Sequence, residues 1–151
     1  PCNNLAAFEQ AQANHLIRSS MRALAYGVEG YIWYTLQGPG WNESGLLNSS
    51  QQPRPVYTAM KVAIEQLNGL RLPPQSFTGY GPSIEAYRFN GNGFVLDVVW
   101  SIDGSPQSIA LPVGSFIAAY RRDGSTLTPT IAGGNAILTV GSENIYLKRQ
   151  P

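Results

Sequence analysis

The sequence predicts an α+β chain in which a helix, a buried strand and a second helix precede an antiparallel β-sandwich. Three observations carry this. Two apolar stripes at spacings of three and four bracket a segment that is apolar on both faces. A joint with two prolines, "RLPPQ" at 71 to 75, follows. Beyond it, short alternating runs are separated by Gly, Asn and Asp.

The first helix is expected over 4 to 25. Leu5, Ala13, Leu16, Ile17, Ser20, Met21 and Leu24 share one face, while Gln10, Arg18 and Arg22 face away, so one side alone is expected to be buried. Gly27 supplies the left-handed conformation that commonly closes a helix. Val28 to Leu36 reads as a strand with Tyr31, Trp33 and Thr35 on one face and Ile32, Tyr34 and Leu36 on the other. A strand without a polar face is the kind that helices cover on both sides. A long loop, 37 to 54, leads to "PRPVY", where Pro55 suits a helical first turn because its missing N–H costs nothing there. Val56, Ala59, Met60, Ala63, Ile64 and Leu67 form the second stripe, and Asn68 with Gly69 closes it.

Strands are then expected at about 83 to 90, 94 to 102, 107 to 113, 115 to 122, 126 to 132, 135 to 141 and 144 to 149. Asp103-Gly104 and Asp123-Gly124 read as hairpin turns, because that pair tolerates positive φ; Asn90 to Gly93 and Gly133 to Asn135 read similarly. In the second strand Val95, Asp97, Val99 and Ser101 alternate with Leu96, Val98, Trp100 and Ile102. The second set is the expected core face, with Trp100 in the core and Asp97 on the outer side.

Ten Lys and Arg against nine Asp and Glu give a net charge of +1 with no block of like sign, which argues against nucleic acid and anionic membrane as partners. No apolar run approaches the roughly 20 residues of a membrane span. The chain begins at Pro1 without a leader-like segment, which suggests a piece of something longer. Cys2, the single cysteine, leaves the redox compartment open. His15 is the sole histidine and lies on the polar side of the first helix, so no metal set and no nucleophile with its base is present, and no cofactor is expected. "GNG" and "AGGN" join strands to strands and open no helix, so neither is a phosphate loop.

The segment "EGYIWYTLQGPGWNESGLLNSSQQPRPVYTAMKVAIEQL" resembles the last strand, loop and helix of a clan A glycoside hydrolase barrel, most of all barrels that carry a C-terminal β-sandwich. The aromatic strand with its late tryptophan, the "GLL" after the loop and the "PRPVYTAM" that opens the helix carry the likeness. The runs "FVLDVVWSIDG", "IALPV", "AAYRRDG", "NAILTV" and "NIYLKR" are similar to the sandwich of such enzymes, although a proline commonly stands before the tyrosine where this chain has Asn144-Ile145. The resemblance implies a remnant of a (β/α)8 barrel over residues 1–72, with the helix at 4 to 25 as its seventh, and a β-sandwich over 73–151.

It also implies an O-glycosidic hydrolase of retaining type, whose two glutamates stand at the ends of strands four and seven. Neither strand is in this chain, so no catalytic residue is expected here and the chain alone is expected to be inactive. The partner implied is a carbohydrate bound by the complete enzyme. Trp33 corresponds to a tryptophan that floors the sugar next to the cleaved bond, often with a cis peptide after it, and Trp41 is a candidate for an outer subsite. Glu29, at the start of its strand, sits where barrels build stability; Glu43 is a loop charge within reach of substrate. Asn42-Glu43-Ser44 and Asn48-Ser49-Ser50 match the glycosylation acceptor pattern. An eighth strand without its neighbours has two open edges, so a missing N-terminal barrel portion or self-association is expected. Two rival readings stand beside the resemblance: a carbohydrate-binding sandwich, which requires an exposed aromatic row for which Tyr80, Tyr87 and Tyr120 are the candidates, and a non-enzymatic interaction domain in which the N-terminal half folds onto the sandwich as a self-contained α+β body.

Overall fold

The computed structural model describes residues 3–37 and 43–151. Helix α1 spans Leu5–Ala25. The Asn4 side chain caps it, accepting the Ala7 N–H at 3.0 Å. At the other end Gly27 takes φ +80, and the N–H groups of Val28 and Gly27 reach back to the carbonyls of Ala23 and Leu24, which satisfies two orphan acceptors. Helix α2 spans Pro55–Leu67 with the proline in its first turn. Its buried residues are Val56, Ala59, Val62 and Ala63, whereas Ile64, placed in the stripe by its spacing, is 63% exposed. The helix is rotated toward Val62 because the sandwich meets it there: a Cβ on Gly124 would lie 3.2 Å from Val62 Cγ2.

All seven expected strands are present, preceded by a two-residue strand. They are β1 Gln75–Ser76, β2 Ile84–Asn90, β3 Val95–Ser101, β4 Gln107–Pro112, β5 Phe116–Arg121, β6 Thr130–Ala132, β7 Asn135–Val140 and β8 Ile145–Arg149. Two sheets form, in the orders β1-β2-β3-β8-β5 and β4-β7-β6, with every pairing antiparallel. Tight hairpins form at Asn90–Gly93 and at Gly133-Gly134, where Ala132 pairs with Asn135 and both glycines have positive φ. Asp123-Gly124 also closes a tight antiparallel turn, in which the Arg121 N–H donates to the Ser125 carbonyl at 2.8 Å and Tyr120 bridges Thr126, whereas Asp103-Gly104 joins strands that do not pair with each other. Each Asp-Gly pair lies where the chain leaves the five-stranded sheet for the three-stranded one, after β3 and after β5. Their carboxylates fold the turn, with Asp103 accepting from Ser105 and Ser101 and Asp123 from Ser125. The Ser105 hydroxyl and N–H, with the Ser101 hydroxyl, hold Asp103 down to about 2.

Strand β3 corrects the expected assignment of a single core face, because all seven of its residues are buried. Register places Tyr87, Val98 and Tyr146 in one cross-strand row and Ala86, Val99 and Ile145 in the next. The second row faces the other sheet and joins Ile109, Leu138 and Val140 in the sandwich core. The first row faces the helices, where Phe89, Leu96 and Trp100 join Ala13, Leu16, Ile17, Met21, Val56 and Ala59 in one cluster. Asp97 is likewise not outward-facing. It has no exposed surface and accepts from Arg88 at 2.7 and 2.8 Å, from Arg149 at 3.2 Å and from the Tyr80 hydroxyl. Arg88 also lies 3.4 Å over the Phe77 ring, so the acid ties the 77–80 turn down onto the sheet.

The polar side of α1 also makes contacts with the sandwich. Arg22 forms a two-pronged bond to Glu85 at 2.8 and 2.6 Å, and Arg18 donates to the Ser142 carbonyl. Both guanidiniums lie within 5.8 Å of the Trp100 ring. Arg122, 5% exposed, donates to the Gln10 carbonyl at 3.0 Å and to the side chains of Gln10 and Asn14. Helical spacing assigns Gln10, Arg18 and Arg22 to the side away from the core, and there, while Gln10 and Arg22 stay exposed, they reach the edge of the sandwich.

Two outcomes are expected. Asp97→Asn strips the charge from a buried partner of two arginines and should cost about 3 to 5 kcal/mol, read as a lower urea midpoint at unchanged slope; a loss below about 1 kcal/mol would contradict this account. Burial pushes the Glu85 carboxyl up, but the hydrogen bonds from Arg22 and Tyr87 outweigh it and hold the group below its ordinary value. Its contribution is therefore complete above the unfolded-state pKa and disappears as pH falls through the lower folded-state one. The stability gap between wild type and Glu85→Gln should be constant near neutrality and close in acid below about pH 4.3; a gap that widens in acid would overturn the assignment.

Candidate functional site

Residues 28 to 36 were expected to form a strand buried on both sides. The structure keeps the period and not the burial. Tyr31, Trp33 and Thr35 are half-buried while Ile32, Tyr34 and Leu36 alternate with them as exposed positions. No ladder forms, because the described chain offers no strand on either side of the segment, and its backbone bonds go to the loop that follows: Leu47 N–H to the Leu36 carbonyl at 2.9 Å and Leu46 N–H to Thr35 at 3.4 Å. One face is covered by the helices, since Tyr31 and Trp33 pack on the α1–α2 cluster and the Tyr31 hydroxyl meets that of Ser19 at 2.8 Å. The opposite face is open, with Ile32 93% and Tyr34 81% exposed.

Trp33 is thus held by its edge. Its indole N–H donates to the Ser44 carbonyl at 3.0 Å. Two residues on, Thr35 has φ +87; a β-branched residue in the left-handed region costs on the order of 1–3 kcal/mol and concentrates at functional positions. The cis peptide of the described residues is Leu72-Pro73, and the bond after Trp33 is trans. Trp41 and Cys2 lie outside the described residues. Within the 31–36 segment Tyr34 is the aromatic that faces the surface. The period-two signal placed it opposite Trp33, but nothing in the sequence indicated which of the two faces the helices would take.

The loop after the site is built from its own side chains. Asn48 accepts the N–H groups of Ser50 and Gln52 at 2.9 Å, and the Gln37 amide donates to the carbonyls of Asn48 and Ser49 at 3.3 Å. Glu43, expected as a solvated charge or a substrate contact, is paired with Arg54 at 2.6 Å, which also binds Glu9 of α1. A guanidinium stands between these two carboxylates, so they make an ion cluster and not a pair facing open space. Asp97 and Glu85 are engaged as described, Glu143 pairs with Arg121 and Glu65 with Lys61, and Glu29 is exposed beyond α1. Among the described residues no cluster of His, Cys, Asp and Glu could hold a metal ion, and no helix is long and apolar enough to cross a membrane.

No family model matches the chain, and no curated protein matches it. Solved structures do. A family 39 glycoside hydrolase from the gut symbiont Bacteroides cellulosilyticus superposes with a TM-score of 0.69 at 19% identity, over 91% of this chain and 30% of that one. A family 30, subfamily 8 xylanase from Clostridium acetobutylicum gives 0.65 at 10% identity over 94% and 39%. A family 30 endoxylanase from Clostridium papyrosolvens gives 0.57 at 10% identity over 92% and 38%. At these identities the likeness is one of fold, and it is to clan A glycoside hydrolases, as the sequence motifs implied. The α+β architecture matches a (β/α)8-barrel remnant followed by an antiparallel β-sandwich. The chain spans less than two fifths of the length of each of these enzymes.

The two faces of the 31–36 segment should respond differently to substitution. Ile32→Ser with Tyr34→Ser should change stability by no more than about 0.5 kcal/mol, whereas Trp33→Ala should cost on the order of 2 kcal/mol through lost packing. Denaturant titration of both variants decides the matter, and equal losses would contradict the placement of Trp33.

Proposed function

We propose that this chain is the C-terminal portion of a glycoside hydrolase that hydrolyses O-glycosidic bonds with retention. The observation that carries this reading is the shared fold over more than nine tenths of the chain, joined to an aromatic segment whose outer face is clad by helices and whose inner face is open. In this reading Ile32, Tyr34 and Leu36 await the flanking strands of an N-terminal barrel portion, which brings the two glutamates. Active sites of such barrels sit at the C-terminal tips of the strands, the end at which Trp33, the strained Thr35 and the 43–54 loop lie. Trp33 offers the uncovered part of its ring to a sugar, and Trp41 serves an outer subsite. Residues 1–72 form the barrel part and 73–151 the sandwich, whose work is mechanical: it grips α1 and, through Gly124, α2. No cofactor is required.

One rival reading, a binding sandwich, loses the aromatic row it needs. Tyr87 is buried and stacked on Trp100, Tyr80 is bonded to Asp97, and Tyr120 packs against the helix-side cluster.

Isothermal titration of the isolated chain with xylan, cellulose and mannan oligosaccharides should give no binding heat, and the chain should release no reducing sugar. Binding by the chain alone would transfer the reading to a carbohydrate-binding module. In sedimentation the chain should self-associate as concentration rises, and Ile32→Ser with Tyr34→Ser should abolish this. A clean wild-type monomer at high concentration would count against the open-face account.

A further inference from the structure

We infer that Arg54 is a positioning residue that latches the 43–54 loop to α1 and thereby fixes the orientation of Trp33; its meaning for sugar binding rests on the function proposed above. Arg54 occupies the N-cap of α2, makes no side-chain cap there, and is 5% exposed. By local rules it is the wrong residue. An N-cap favours a short side chain with an acceptor oxygen, and a cation at a helix N-terminus opposes the macrodipole. Where a local rule is broken, the reason lies in tertiary structure or function.

The tertiary reason is on view. The guanidinium binds Glu9 of α1, Glu43 at 2.6 Å and the Leu47 carbonyl at 3.4 Å, while the Arg54 backbone N–H donates to the Leu46 carbonyl at 2.9 Å. One turn beyond Glu9, Gln12 donates to the Glu43 carbonyl at 3.1 Å, so one face of α1 holds the loop at two points. The next residue, Ser44, accepts the Trp33 indole. The line of contacts therefore runs from α1 through Arg54, Glu43 and Ser44 to Trp33. A planar guanidinium suits this node because it engages several oxygens in fixed directions, which an ammonium does not.

The test is solvent exchange of the Trp33 indole N–H, followed by NMR in the full chain. Arg54→Ser installs a better cap and removes the latch; exchange at Trp33 should quicken about tenfold or more while the amides of Val98 and Val99 keep their protection. Arg54→Lys should restore part of the protection. Should Arg54→Ser not fold, Glu43→Gln, at a half-exposed site, decides alone, with quickened exchange supporting the latch. Unchanged Trp33 exchange in the folded variants, or loosening of Trp33 and β3 in equal measure, would overturn the inference. The readout needs no sugar, so failure of the proposed function would leave the latch standing, and failure of the latch would leave the proposed function standing.

Discussion

The rest of the structure depends on the two-sided burial of β3. One of its faces closes the sandwich with Val99 over Ile109, Leu138 and Val140; the other gives Leu96, Val98 and Trp100 to the helices. Fully burying side chains of this size yields roughly 1.5–3 kcal/mol each, so a single strand contributes to two cores at once. Trp100 is the centre of the second. Tyr87 stacks on it at 5.7 Å between ring centroids, and two α1 arginines lie over it. Because α1 rests on that surface and α2 rests on α1, the 31–36 segment that packs on both helices inherits its position from a strand far from it in sequence.

Charge fixes what apolar packing leaves adjustable. A helix on a flat apolar face can slide by a turn or rotate with little loss, since dispersion has no direction. The Arg22–Glu85 fork, the Arg18–Ser142 bond and the seat of Arg122 against Gln10 and Asn14 each demand one register. The half-exposed Arg22–Glu85 pair adds little net stability, but a shift of the helix would leave the buried Arg122 without its partners. The Arg54 cluster applies the same logic at the other end of α1, and Asp97 does so beneath the 77–80 turn.

Much of this was legible in the sequence, and the limits have physical causes. Helix ends were readable because their signals are local: Gly27, Pro55 and Gly69 act through their own backbone. Strand positions were readable from period two. What a face meets is not local. The alternation in β3 separated its two sets correctly but could not show that both are covered, so Asp97 was assigned to the outside. Gln10, Arg18 and Arg22 do face away from the buried stripe, but amphipathicity is silent about the polar contacts they make to the sandwich. The Asp-Gly pairs mark tight turns, and whether the next strand pairs beside the last or crosses to another sheet is decided by tertiary packing. At the candidate site the sequence announced a strand with two apolar faces, whereas the described chain covers one and leaves Ile32 and Tyr34 exposed.

The central claim is that helices and sandwich form one cooperative body about β3. Hydrogen exchange followed by mass spectrometry tests it most directly, by comparing peptides covering Leu16–Met21 of α1 with peptides covering Val95–Ser101. The account predicts that the slowest-exchanging amides of both open with the same free energy and respond in parallel to added urea. If α1 exchanges through a much cheaper opening while β3 stays fully protected, the helices are a loosely attached appendage and the account fails.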